Sequence, residues 1–145
     1  MTWFKVDDTF YDHPKLKNIP RGVLRKGSVA LWVSAGSWCS RYLRDGQIPA
    51  DQVIELGATK KEAEWLRAVG LWHGEGETCD SPDCIASPVP QGFYQFHEWP
   101  VYQQTREEVE LDRHANRLRQ RAHRERKRNK IIQSDGNVTS LFGEA

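Results

Sequence analysis

Four residues of metal-ligand type, His73, Cys79, Cys84 and His97, follow one another in the pattern H-x5-C-x4-C-x12-H. Imidazole nitrogen and thiolate sulfur are the donors of closed, four-coordinate zinc sites, and the C-x4-C gap lies within the spacing that such sites use. The stretch 74–92 is rich in Gly, Pro and acidic residues and nearly devoid of apolar ones, so it has no core of its own to order it. A metal bound by all four residues would supply that order. Four protein ligands leave no open coordination position, so the expected cofactor is a structural Zn2+ without a catalytic part. The third cysteine, Cys39, lies in an apolar run and reads as a small buried hydrophobe.

The second chemistry is electrostatic. The 145 residues hold 21 Lys+Arg against 20 Asp+Glu, a net charge of +1, but residues 1–100 sum to −2 and residues 101–145 to +3. Nine basic residues (Arg113, Arg117, Arg119, Arg121, Arg124, Arg126, Lys127, Arg128 and Lys130) stand against Glu125 alone, so that segment carries +8. A charge asymmetry this steep calls for a polyanion, either nucleic acid or an anionic surface. The run Thr105-Arg106-Glu107-Glu108 is a capping box with acids in its first turn, which predicts a helix from Arg106 to about Ile131. At heptad spacing, positions 111, 115, 118, 122, 125, 129 and 132 hold Leu, Ala, Leu, Ala, Glu, Asn and Ile. That apolar stripe fails midway, and arginines are expected on every face beyond it. Leu111 and Leu118 are left to dock on the domain or on a second copy, which makes a homodimer one expectation. Nine phosphate contacts would give a slope of log K against log salt of about −8, an upper bound. Within this segment Arg113, Arg117, Arg121, Arg124 and Arg128 are the expected contacts to double-stranded DNA.

The elements that must position these groups follow from local signals. Residues 1–100 hold the apolar and aromatic content, 101–132 form the charged helix, and 133–145 read as a flexible tail. Asp12-His13-Pro14 caps a short first helix. Residues 27–43 predict a central helix with two apolar stripes, one of Val29, Trp32, Val33, Gly36 and Ser40, the other of Leu31, Ala35, Trp38 and Tyr42. Asp45-Gly46 turns the chain, Gln47-Ile48 allows only a brief strand, and Pro49 opens the next helix. Gly57 can end that helix in the left-handed conformation, and Thr59 with Glu62 makes a capping box for a second one reaching Val69. A helix-turn-helix followed by two strand-like runs, 70–73 and 92–99, predicts a mainly α (α+β) fold. Its expected form is a winged helix-turn-helix with a long wing hairpin, followed by a C-terminal basic helix. On the second helix of the pair, Lys60, Lys61, Glu64 and Ala68 are expected to face outward. Lys60 and Lys61 are then its DNA contacts, too few to bind without the tail.

Several function classes are disfavoured. The longest uncharged stretch, residues 27–40, is about half of the ~20 residues that a membrane helix requires, so no membrane partner is expected. The N-terminus lacks the basic-then-apolar order of a secretory signal. A reducing cytoplasm, with the cysteines as thiols or ligands, is therefore expected. The sequon Asn137-Val138-Thr139 then carries no sugar. No phosphate loop, G-x-S-x-G or H-E-x-x-H is present, so no enzyme is expected.

The runs Trp3-Phe4-Lys5-Val6-Asp7-Asp8, His13-Pro14-Lys15, Leu31-Trp32-Val33 with Gly36-Ser37-Trp38-Cys39, and Asp45-Gly46-Gln47-Ile48-Pro49 resemble small proteins of actinobacterial phages and prophages. Those proteins are described as helix-turn-helix or replication-initiation proteins. More distantly, the arrangement is similar to the N-terminal winged helix of phage replisome organisers and DnaD-type primosome proteins. The resemblance covers residues 3 to about 105, including Gly70-Leu71-Trp72-His73 and Phe96-His97-Glu98-Trp99. It implies a winged helix acting at phage DNA in replication initiation or its regulation, although the chain has no ATPase or second helical domain of the kind that full organisers carry. Ser140-Leu141-Phe142 is similar to part of the bacterial sliding-clamp-binding peptide, with Val138-Thr139 departing from the usual Gln-Leu. A helicase or sliding clamp is thus the implied replication partner. The alternative is a protein-interaction module, an adaptor or host-factor inhibitor, whose basic helix binds an acidic protein.

Overall fold

Trp32 on a long helix and Phe96 on the central strand of a small sheet lie with ring centroids 6.0 Å apart, and the first hundred residues assemble around that pair. The computed structural model describes residues 2–85 and 87–142, with side chains in the last helix described as far as Asp135. A 3-10 turn (Phe10–Asp12) leads into α1 (Pro14–Lys17) and α2 (Val23–Arg41). β1 (Gln47–Pro49), α3 (Ala50–Glu55) and α4 (Lys60–Ala68) come next, then β2 (Trp72–His73) and β3 (Phe93–Phe96). Two helices, α5 (Trp99–Tyr102) and α6 (Arg106–Phe142), complete the order. The class is mainly α with a three-stranded antiparallel sheet in the order β1-β3-β2.

Local chemistry explains the element boundaries. The His13 ring accepts the Lys15 N–H at 3.1 Å, capping α1 ahead of Pro14. Gly57 takes φ +87° between α3 and α4, a conformation that costs other residues a Cβ clash. Thr59 and Glu62 close the capping box of α4. α2 begins four residues before the sequence reading placed it and is buried along Ser28, Leu31, Ala35, Gly36, Cys39 and Ser40. Val33 and Tyr42, assigned to its apolar stripes, are instead exposed.

The core joins Leu31, Ala35 and Cys39 of α2 to Ile48, Val53, Ala63, Leu66, Trp72, Phe96 and Trp99. Phe4 is enclosed by Trp32, Phe96 and Trp99 at 4.8, 6.0 and 5.9 Å between ring centroids. Gly36 makes this possible, because a Cβ there would collide with the Phe4 ring. The side-chain amide of buried Gln103 accepts the Lys5 N–H at 2.8 Å and donates to the Lys5 carbonyl at 2.6 Å, fastening the N-terminal segment. Burial pushes the Cys39 thiol up to about 12, which leaves it un-ionised and inert.

The chain divides into two compact units, Met1–Arg106 and Glu107–Ala145. In the second, α6 runs past Ile132 to Phe142, beyond the end that the charge pattern suggested. Every described side chain from Glu110 to Asp135 is exposed. The side chains of the clamp-like Ser140-Leu141-Phe142 and of Asn137-Val138-Thr139 lie outside the described residues. Among the described residues no helix is long and apolar enough to cross a membrane.

Candidate metal centre and basic helix face

His73 ends β2 and pairs with Gln95 of β3. The sequence reading carried the return strand through Trp99, but β3 ends at Phe96. His97 still donates its backbone N–H to the Leu71 carbonyl at 3.0 Å, so the two histidines project from adjacent chains at one end of the sheet. His73 Nε2 and His97 Nδ1 are 2.9 Å apart. The loop between the strands brings Cys84 Sγ to 3.5 Å from His73 Nε2 and 3.4 Å from His97 Nδ1, and Cys79 Sγ to 3.6 Å from His97 Nδ1. All four donor atoms lie within 4.8 Å of one another. The structure therefore brings together the four residues singled out by the spacing, and they form a cluster that could hold a metal.

A second layer of contacts, absent from the sequence reading, aims these donors. Glu98 adopts φ +50° directly after His97. That turn points its backbone N–H at Cys84 Sγ, 3.3 Å away, and sets its carboxylate 3.4 Å from His97 Nε2. A carboxylate on the outer ring nitrogen fixes the tautomer that leaves Nδ1 free to bind a metal. Ser81 donates its backbone N–H to Cys79 Sγ at 3.5 Å and its hydroxyl to Glu98 at 2.9 Å. The only hint in the sequence is position, since Glu98 follows His97 and Ser81 comes two residues after Cys79.

The loop is also anchored away from the cluster. Glu77 accepts from Arg67 of α4 at 3.1 Å and from the Gly74 N–H at 3.0 Å, and buried Val89 bonds back to Glu77 at 3.0 Å. Burial, and then the nearby Lys15, hold His97 below the usual histidine range. Burial is likewise the main cause of the lowered value at His73. Both rings thus favour the neutral form that coordinates metals. Burial raises the Cys84 thiol, a bias that a bound cation reverses.

No family model, curated protein or solved structure matches this chain.

The candidate polyanion contacts divide between the units. Lys60 and Lys61 are exposed in the first turn of α4. Glu64, expected beside them in solvent, is half-buried, bonded to Arg67 at 2.8 Å and to the Tyr94 hydroxyl at 3.0 Å. The outward face of α4 is therefore more basic than the sequence suggested. On α6, at 3.6 residues per turn, Arg113, Arg117, Arg121, Arg124 and Arg128 fall within one strip about 80° wide and about 22 Å long. Arg119, Arg126 and Lys130 form a second strip, and Leu111, Ala115, Leu118 and Ala122 lie between them on the far side. Lys127 falls between the two strips on the side away from the leucines, so the basic residues span an arc of about 220° and, in place of the expected arginines on every face, leave the leucine–alanine face clear. Arg117, Arg121, Arg124 and Arg128, with Gln120 and Glu125, border one shallow groove of about 350 Å³.

Proposed function

We propose that this chain is a zinc-stapled, winged-helix protein that binds double-stranded DNA, with the arginine strip of α6 as the main phosphate-gripping surface and Lys60 and Lys61 as contacts from α4. The observation that carries this reading is the alignment of Arg113, Arg117, Arg121, Arg124 and Arg128 on one face of an exposed helix. Five guanidiniums about one turn apart form a continuous positive edge of the sort that tracks a phosphate backbone.

The winged-helix assignment is supported by the order α2, β1, α3, α4, β2, β3, in which α4 precedes a hairpin whose second strand lies between the other two. Zinc is supported by the donor set and its spacing. With bonds of about 2.3 Å to sulfur and about 2.0 Å to nitrogen, a tetrahedral ion spaces S and N donors about 3.5 Å apart. Three of the four sulfur–nitrogen separations here are 3.4 to 3.6 Å. The metal would hold the wing loop to both strands, and the reading includes no catalytic step. Replication initiation in a bacterial host cytoplasm, with a helicase as partner, rests on the resemblance of residues 3–105, and a sliding clamp as partner rests on that of Ser140-Leu141-Phe142.

A fluorescence-anisotropy titration with a random duplex at several salt concentrations tests the proposal, on protein whose zinc content has been measured. Tight binding that weakens steeply with salt is expected. Absence of binding at low salt overturns it and leaves the protein-interaction module, for which an acidic protein captured after nuclease treatment is the corresponding evidence.

A further inference from the structure

The face of α6 away from the arginine strip carries Leu111, Ala115, Leu118 and Ala122, spaced four, three and four residues apart. Leu111 is 61% and Leu118 49% exposed. Two leucines in register with two alanines on an otherwise charged helix form a short seam of the coiled-coil type.

We infer that this seam is occupied by a second copy of the chain running antiparallel. In the register centred between Ala115 and Leu118, Leu111 lies over Ala122 of the second copy and Ala115 over its Leu118. Each layer then sets a large side chain against a small one, which lets the helices approach closely. Charge selects the direction. Antiparallel pairing flanks the seam with Asp112 beside Arg119 of the second copy and Glu107 beside its Arg128. Parallel pairing would set Glu107 beside Asp112 and Arg121 beside Arg126, like charges in both places. The seam ends where Glu108 would face Glu125 of the second copy. An interface this short falls below the area of stable complexes, so the dimer is weak and depends on concentration and salt. The seam points about 130° away from the centre of the arginine strip, and Arg128 is the one member of that strip that the pairing uses.

Sedimentation velocity of the full chain, freed of nucleic acid, from roughly 1 μM to roughly 1 mM brackets the affinity expected of a small interface. The sedimentation coefficient should rise from monomer toward dimer. Leu118→Glu should keep the protein monomeric with its helix content unchanged by circular dichroism, and Glu125→Leu should strengthen association by extending the seam. Asp112→Arg should weaken it severalfold, and adding Arg119→Asp to the same chain should restore it. A monomer throughout the range, or a dimer indifferent to Leu118→Glu, overturns the inference. Failure of the charge exchange to restore association overturns the antiparallel arrangement.

Discussion

Replacing Arg117, Arg121 and Arg124 with glutamine removes three charges from one strip of α6, whereas replacing Arg119, Arg126 and Lys130 removes three from the other. The two triple variants have the same net charge and the same helix length. A helix acting as an undirected cloud of charge would treat them alike, while a helix with a gripping face would not. Each phosphate contact contributes about 0.9 to the slope of log K against log salt, so five arginines give a slope of about −4.5 and two give about −1.8. Between about 0.05 and about 0.2 M salt, the five strip arginines should account for a roughly 500-fold loss in affinity in the parent and the two left in the first variant for only roughly 12-fold. The second variant should keep the parental slope. Lys60 and Lys61 add equally to all three proteins and drop out of the comparison. Anisotropy titration of a labelled random duplex measures the slopes directly. Equal flattening in the two variants would refute the argument from the strip.

Three further outcomes follow from the geometry. Purified protein should carry one equivalent of zinc, lost in Cys84→Ser and bound about 10- to 100-fold more weakly in Glu98→Ala; elemental analysis and competition with a chelator measure both, and a metal-free parent would contradict the site. Gly36→Ala should cost about 1–3 kcal/mol through collision with Phe4, outweighing the ~1 kcal/mol that alanine adds to a helix, and a denaturation midpoint at or above that of the parent would contradict the packing. Although burial opposes it, bonding to Arg67 and Tyr94 holds the Glu64 carboxyl below its usual 4.5. The stability it contributes is therefore present above pH 4.5 and lost as pH falls through the lowered value. Glu64→Gln should be less stable than the parent at neutral pH and converge with it in acid, whereas a gap in melting temperature that stays constant with pH would refute this account.

Much of the chain's local organisation was legible because it is encoded within a turn or two of backbone. The His13 cap, the Gly57 turn, the Thr59–Glu62 box and the start of α6 at Arg106 each depend on residues a few positions apart. The metal cluster was legible for a different reason, because ligand chemistry restricts the candidates to His and Cys and few of those are present. The burial of β3 was not legible. The polar Gln95 stands between Tyr94 and Phe96 in the run 92–99, yet it is fully buried and donates to the Asp45 carbonyl at 2.9 Å. A central strand has both faces covered, and alternation cannot reveal what lies above and below it.

By itself, the sequence determined the helix boundaries set by caps and glycines, the donor set His73, Cys79, Cys84 and His97, and the +8 charge of the segment from Arg113 to Lys130. Local hydrogen bonds, ligand chemistry and formal charge do not depend on distant contacts. Tertiary structure alone decided that the four donors meet within 4.8 Å and that Glu98 turns to support both His97 and Cys84. It also withdrew Glu64 from solvent toward Arg67 and Tyr94. Those outcomes required β2 to pair with β3 and α4 to pack beside them, and such long-range pairing is set by the burial of Trp72 and Phe96 rather than by any residue's immediate neighbours.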